Sequence, residues 1–168
     1  INIPNLVLGG EQETKRRAGT ENVPGIAGFG EAVKELSEIG HESLQEKYAH
    51  FQDIILKTLD DNDIDYGING GYGAGYSHHV LNLWLKGVST TSMQTNLDLN
   101  GYAVSGGSAC TAGSLEPSHV LIACFGTDSP RINESIRISF GRYNTEEEIK
   151  SFAQELVKIA KRIQSKNK

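Results

Sequence analysis

Five apolar residues near the end of the chain, Ile149, Phe152, Leu156, Ile159 and Ile163, recur at spacings of three, four, three and four. On a helix this spacing lines them along one face, and a helix with a single apolar face must be covered by another element. The start of that helix is written just ahead of it, because Thr145 with Glu148 three residues on forms a capping box. Glu146 and Glu147 complement the positive end of the helix dipole, and Lys161, Arg162, Lys166 and Lys168 complement the negative end. A second stripe, Leu44, Tyr48, Phe51, Ile55 and Leu59, has spacings of four, three, four and four. It belongs to a helical stretch that begins after Pro24, is interrupted at Gly40 and ends near Asp60.

Short strands supply the other layer. Residues 79–85 alternate, with Val80, Asn82 and Trp84 on one face and Leu81, Leu83 and Leu85 on the other. Residues 64–68 form a shorter alternating strand before a turn at Asn69-Gly70-Gly71. In residues 136–140 the apolar face is Ile136, Ile138 and Phe140, so Arg137 and Ser139 point the other way. Tyr102-Ala103-Val104 reads as a further short strand, and residues 90–99 and 118–125 as helices, the latter capped by Ser118. The expected fold is α+β, a small, mostly antiparallel sheet with helices packed on one side. Residues 1–22, with Pro4, Gly9, Gly10 and Gly19, read as an extended segment whose Ile3, Leu6, Val7 and Leu8 have no local partner. Residues 23–168 are expected to form the domain proper.

Composition excludes several functions. With 168 residues and 38% hydrophobic content the chain can bury a core, and a net charge of -5 speaks against a direct nucleic-acid partner. No apolar run approaches the roughly 20 residues of a membrane span, so no membrane partner is expected. The five histidines, including His78 and His79, show no metal-ligand spacing, and no metal site is expected. The two cysteines, Cys110 and Cys124, are too far apart for a Cys-x-x-Cys pair, and a reducing, cytoplasmic setting suits them. Cys124 lies in the apolar run 120–125 and reads as a core residue.

Cys110 has a different setting, a run of Gly, Ser, Ala and Thr in residues 105–118 with almost nothing to bury a thiol. A structural cysteine is usually packed among apolar side chains, whereas a reactive one needs access and a route to thiolate. Fully extended, the chain from Ser105 to Pro117 spans roughly 40 Å, so a thiol near its centre swings on the order of 15 to 20 Å about its anchors. Residues 105–118 are therefore read as a mobile cysteine loop.

Three segments, in order along the chain, carry a resemblance. Gly107-Ser108-Ala109-Cys110, followed by Gly113-Ser114-Leu115-Glu116-Pro117-Ser118-His119-Val120-Leu121, resembles the active-site segment of the long-loop cysteine desulfurases. These pyridoxal-phosphate (PLP) enzymes supply sulfur for iron–sulfur clusters and tRNA thiolation. Arg17-Ala18-Gly19-Thr20-Glu21-Asn22-Val23-Pro24-Gly25 is similar to the family's phosphate-binding stretch, and residues 135–145, with Arg137 and Arg142, to its C-terminal signature. One loop departs from the family: where a third glycine and an Arg-Gly pair are common, this chain has Glu11 and Thr14-Lys15.

The resemblance implies the small C-terminal domain of a fold-type I PLP enzyme. It implies Cys110 as the nucleophile that accepts sulfur from L-cysteine as a persulfide, leaving L-alanine. Arg137 would hold the substrate carboxylate, and Thr20 would reach across a homodimer interface to the PLP phosphate of the other subunit. Arg142 is read as a structural or ion-pairing residue. The sulfur would pass to an acceptor protein, an iron–sulfur scaffold or a tRNA-thiolation enzyme. The resemblance covers only the C-terminal part of the family, and the chain opens at Ile1 without an initiator methionine. It therefore implies a fragment, joined through residues 1–22 to a large domain bearing the Schiff-base lysine, with no turnover and no bound PLP by itself. Two alternatives stay open: the small domain of another PLP-dependent aminotransferase or lyase, or a sulfur-carrier module.

Overall fold

The computed structural model describes residues 4–73, 75–107 and 117–166, and Cys110 lies outside them. The chain divides into two compact units, Ile1–His41 and Glu42–Lys168. In the first unit residues 6–18 fold back on themselves, with Leu6 N–H donating to Arg16 O and Ala18 N–H to Val7 O, both at 3.1 Å. The reversal is a four-residue turn, α1 (Gln12–Lys15), in which Glu13, Thr14 and Lys15 all take positive φ, 52°, 57° and 62°. Lys15 thus holds a left-handed conformation that glycine adopts freely. Helix α2 (Val23–Ile39) is capped by Asn22, whose side chain accepts from Gly25 N–H at 3.1 Å. It ends at Gly40, where φ is +83°. No residue of α2 is buried, and Ile26, Phe29 and Val33 stand exposed within this unit.

The second unit is built on a three-stranded antiparallel sheet in the order β1 (Tyr66–Ile68), β2 (Val80–Leu85), β3 (Ser135–Ser139). Leu81 pairs with Ile138, Leu83 with Ile136 and with Ile68, and Leu85 with Tyr66, so one face of the sheet is apolar across all three strands. Against it pack α3 (His41–Asp60), α4 (Thr90–Leu99) and α6 (Glu146–Lys166). Both predicted stripes pack there, with Ile163 only half-buried: Phe51, Ile55 and Leu59 on α3 and Leu156 and Ile159 on α6 are 2% exposed or less. The sequence expectation of an α+β fold with a small antiparallel sheet holds, its three long helices packed on the apolar side. Buried Gln52 is satisfied, donating to His78 O at 2.9 Å and tying α3 to the start of β2. Helix α5 (His119–Phe125) follows Ser118, whose hydroxyl accepts from Leu121 N–H at 3.4 Å, and a 3-10 turn (Pro130–Ile132) leads into β3.

Two expectations fail. Residues 102–104 form no strand; Ser105 alone makes a bridge to β3, and a cleft of about 250 Å³ opens among Tyr102, Ala103, Val104, Ile138, Phe140 and Ile149. Cys124 is exposed, because α5 buries only Leu121. Its apolar run is short, and one seated residue leaves the rest of the turn facing outward.

The capping box forms as read from sequence. Glu148 N–H donates to Thr145 Oγ1 at 3.2 Å, and Thr145 N–H donates to the Glu148 carboxylate at 2.9 Å. The Thr145 N–H, with Asn144 assisting, holds the Glu148 carboxyl below the usual carboxylate range. A depressed folded-state value contributes stability above the unfolded pKa of about 4.3, lost as pH falls through the folded value. The gap in thermal midpoint between wild type and Glu148→Gln should therefore be largest near pH 7 and shrink on acidification to about pH 3. Circular dichroism melts at the two pH values measure it; a gap that widens in acid would contradict the capping role.

Candidate functional site

The sheet's second face is polar where the first is apolar. Alternation that buries Leu81, Leu83, Ile136 and Ile138 turns Asn82, Trp84, Ser135 and Arg137 to the opposite side. Asn82 is the register partner of Arg137. The backbone of Arg137 is spent away from Asn82: its N–H donates to Ser105 O at 2.6 Å and its C=O accepts from Ser105 N–H at 3.0 Å. The Asn82 C=O likewise turns outward, accepting from Asn69 N–H at 2.9 Å. Asn82 and Arg137 are thus a pair with no mutual backbone bonds, the kind in an antiparallel sheet whose side chains lie closer. Asn69, Asn82, Arg137 and Ser105 form one row across the sheet.

At one end of the row stands a braced polar network. Asn69 Nδ2 donates to Asn82 Oδ1 at 2.9 Å and to Ser135 Oγ at 2.8 Å. Arg131 donates to Asn69 Oδ1 at 2.5 Å and to Ile68 O at 3.4 Å. Its guanidinium lies between two rings, 4.4 Å from the Trp84 centroid and 4.6 Å from that of Phe125. Trp84 Nε1 donates to Glu134 at 2.8 Å. Since Phe125 ends α5, this stack ties that helix to the polar face of the sheet.

At the other end begins the segment that carries Cys110. Gly106 passes close to α4: a Cβ there would come within 2.3 Å of Thr90 Cγ2 and 2.6 Å of Gln94 Oε1. Gln94 Nε2 donates to Val104 O at 3.2 Å and holds the same approach. A Cβ on Gly107 would lie 4.0 Å from Ser118 Cβ, so the chain leaves this corner and returns to it. Gly107 and Ser118, which flank the cysteine segment, thus lie close together, two residues beyond the Ser105 bridge to Arg137 on the first side.

Arg137 is half-buried, and among the described residues its guanidinium donates no hydrogen bond and pairs with no carboxylate. Five N–H groups in a planar fork with no acceptor suit a bidentate carboxylate ligand. Arg142 instead lies over the Tyr143 ring at 4.8 Å. Thr20 belongs to the first unit and is exposed. Its loop is braced by Arg17, which donates to Gly19 O at 2.6 Å and pairs with Glu21. Arg17 is committed to its own loop, while among the described residues the Thr20 hydroxyl has no hydrogen-bond partner. An exposed hydroxyl beside a glycine at φ +103° fits a phosphate oxygen. No group of three His, Cys, Asp or Glu among the described residues is placed to hold a metal ion, and none of their helices is long and apolar enough to cross a membrane.

Sequence reading singled out Arg137, Thr20 and Cys110, of which the first two lie among the described residues, and did not single out Asn69, Asn82 or Arg131, which share a hydrogen-bond network on the polar face. The available signal was Asn82 itself, a lone amide within the apolar strand Val80–Leu85.

Residues 5–152 match the family model described as aminotransferase class-V. IscS 1 of Bacillus subtilis (strain 168) is 50% identical over 163 residues, covering 97% of this chain and 42% of that protein. The cysteine desulfurase of Nostoc sp. (strain PCC 7120 / SAG 25.82 / UTEX 2576) is 39% identical, over 95% of this chain and 39% of that protein. The X-ray structure of a NifS-like protein from Rickettsia africae ESF-5 matches with a TM-score of 0.74 at 27% identity, over 96% of this chain and 41% of that one. The chain therefore spans about two fifths of the length of the relatives it matches.

Proposed function

The chain belongs to the class-V aminotransferase family, and on that footing we propose that it is the part of a PLP-dependent cysteine desulfurase that anchors the substrate and carries its sulfur away. The observation that bears most weight is the pairing of Ser105 with Arg137. One residue supplies the carboxylate anchor, and the segment bearing the nucleophile starts from its backbone. Cys110 lies five positions beyond Ser105, a reach of at most roughly 18 Å. The thiol can therefore meet a substrate held at Arg137 without either anchor moving.

Arg137 receives the carboxylate of L-cysteine in two parallel hydrogen bonds and fixes the direction of its side chain. Thr20 would donate its hydroxyl across a homodimer interface to the phosphate of PLP bound in the other subunit, and PLP, when bound, would supply the electron sink that weakens the substrate's carbon–sulfur bond. Cys110 acts as thiolate and takes the substrate sulfur, so a sulfur–sulfur bond forms as the carbon–sulfur bond breaks. The carbon keeps the bonding pair and gains a proton. Overall, L-cysteine and a thiol become L-alanine and a persulfide. The persulfide passes its outer sulfur to an acceptor thiol, on an iron–sulfur scaffold or a tRNA-thiolation enzyme, within a homodimer in the reducing cytoplasm.

In the PLP-loaded enzyme that includes these residues, L-cysteine without reductant should add the mass of one sulfur atom to the peptide bearing Cys110, with stoichiometric L-alanine. Tryptic mass spectrometry and amino-acid analysis read the two. Alanine formed with Cys110 unmodified would instead favour a lyase that releases sulfide directly.

A further inference from the structure

We propose that Asn82 is a second ligand of the substrate carboxylate, held with its N–H groups outward by Arg131 acting through Asn69. The inference rests on reading Arg137 as the carboxylate anchor, and extends it to a residue and a polarity that the reading does not contain.

Hydrogen-bond polarity carries it. A guanidinium only donates, so the atom of Asn69 that meets Arg131 at 2.5 Å is the amide oxygen. Asn69 must then present its NH₂ to the other side, where it donates to Asn82 and to Ser135. The atom of Asn82 that accepts is its oxygen, and its NH₂ is turned away from Asn69. Ser135 does not oppose this order, since a hydroxyl accepts as readily as it donates. A fixed cation, sandwiched between Trp84 and Phe125, thereby sets the amide of Asn82 two hydrogen bonds away.

The NH₂ of Asn82 meets no acceptor among the described residues, and its neighbour across the strand pair is Arg137. Two half-buried groups, both donors only in this arrangement, therefore stand side by side with nothing to receive their protons. Unmade hydrogen bonds at such a site favour a ligand rich in acceptors and bearing negative charge, and a carboxylate has two oxygens with lone pairs to spare. Were the Asn82 amide reversed, its oxygen would accept from Arg137 and occupy the anchor. Arg131 prevents that reversal.

The test uses the PLP-loaded enzyme containing these residues, with affinity measured by calorimetry for L-alanine and for ethylamine, which lacks the carboxylate. Asn82→Ala should weaken L-alanine about tenfold with ethylamine unchanged, and should raise KM for L-cysteine more than it lowers kcat. Asn82→Asp should weaken L-alanine by about a hundredfold, because its own carboxylate would pair with Arg137. Arg131→Lys and Arg131→Glu lose the same stacking but keep and reverse the donor polarity. The glutamate variant should bind L-alanine about tenfold more weakly than the lysine variant. Equal affinities in that pair, or an unchanged L-alanine affinity in Asn82→Ala, would overturn the proposal. If Arg137→Ala still weakens L-alanine, the reading of Arg137 stands without Asn82; if it too has no effect, that reading falls first.

Discussion

Cys110→Ala in the PLP-loaded enzyme should abolish sulfide and alanine production from L-cysteine together, by about a thousandfold or more. No other thiol among the described residues can substitute. Cys124 is exposed on α5, and α5 is fastened to the sheet by the Phe125–Arg131–Trp84 stack. Cys110→Ser separates chemistry from shape, since it keeps the size of the side chain while its hydroxyl is a far weaker nucleophile. Both variants should lose turnover yet bind L-alanine as wild type does. Undiminished turnover in Cys110→Ala would mean that the site runs a different reaction, that of an aminotransferase or lyase in which the thiol is incidental.

The second large effect is expected at Arg137. Arg137→Ala should lower kcat/KM for L-cysteine by about a hundredfold to a thousandfold, the loss of two charge-assisted hydrogen bonds at roughly 1.5–3 kcal/mol each, less what water restores. Arg137→Lys keeps the charge but not the planar fork, and should recover part of the loss, ending about tenfold below wild type. With cysteamine, which has no carboxylate, the three proteins should be nearly equal. The side chain points away from the apolar face formed by Ile136 and Ile138, so the thermal midpoint should move by no more than a few degrees. A large fall in midpoint together with equal losses on both substrates would show a folding role instead. Steady-state kinetics on the paired substrates, with melts on the same preparations, decide between the two.

Legibility followed the range of the interactions. The stripe on α6, the alternation of β2 and the capping box at Thr145 depend on residues within a turn or two of one another, and all three appear as read. The strand expected at residues 102–104 depended on a distant partner and is absent past the single Ser105 bridge. Cys124 was misplaced for a related reason, since an apolar run marks what can be buried without naming what will cover it.

From local pattern came the elements, their apolar faces and the small-residue setting of Cys110, while Arg137 and Thr20 were singled out by the resemblance of their segments to a known family. Folding decided the register. Asn82 meets Arg137 from 55 residues away in the chain, and Arg131 reaches Asn69 across 62. A strand's alternation says which side chains share a face, but a shift of two residues along the partner strand preserves the same faces and changes every neighbour. Packing against α3, α4 and α6 removes that ambiguity, and with it comes the row that joins Asn82 and Arg137 to Ser105, where the segment leading to Cys110 begins.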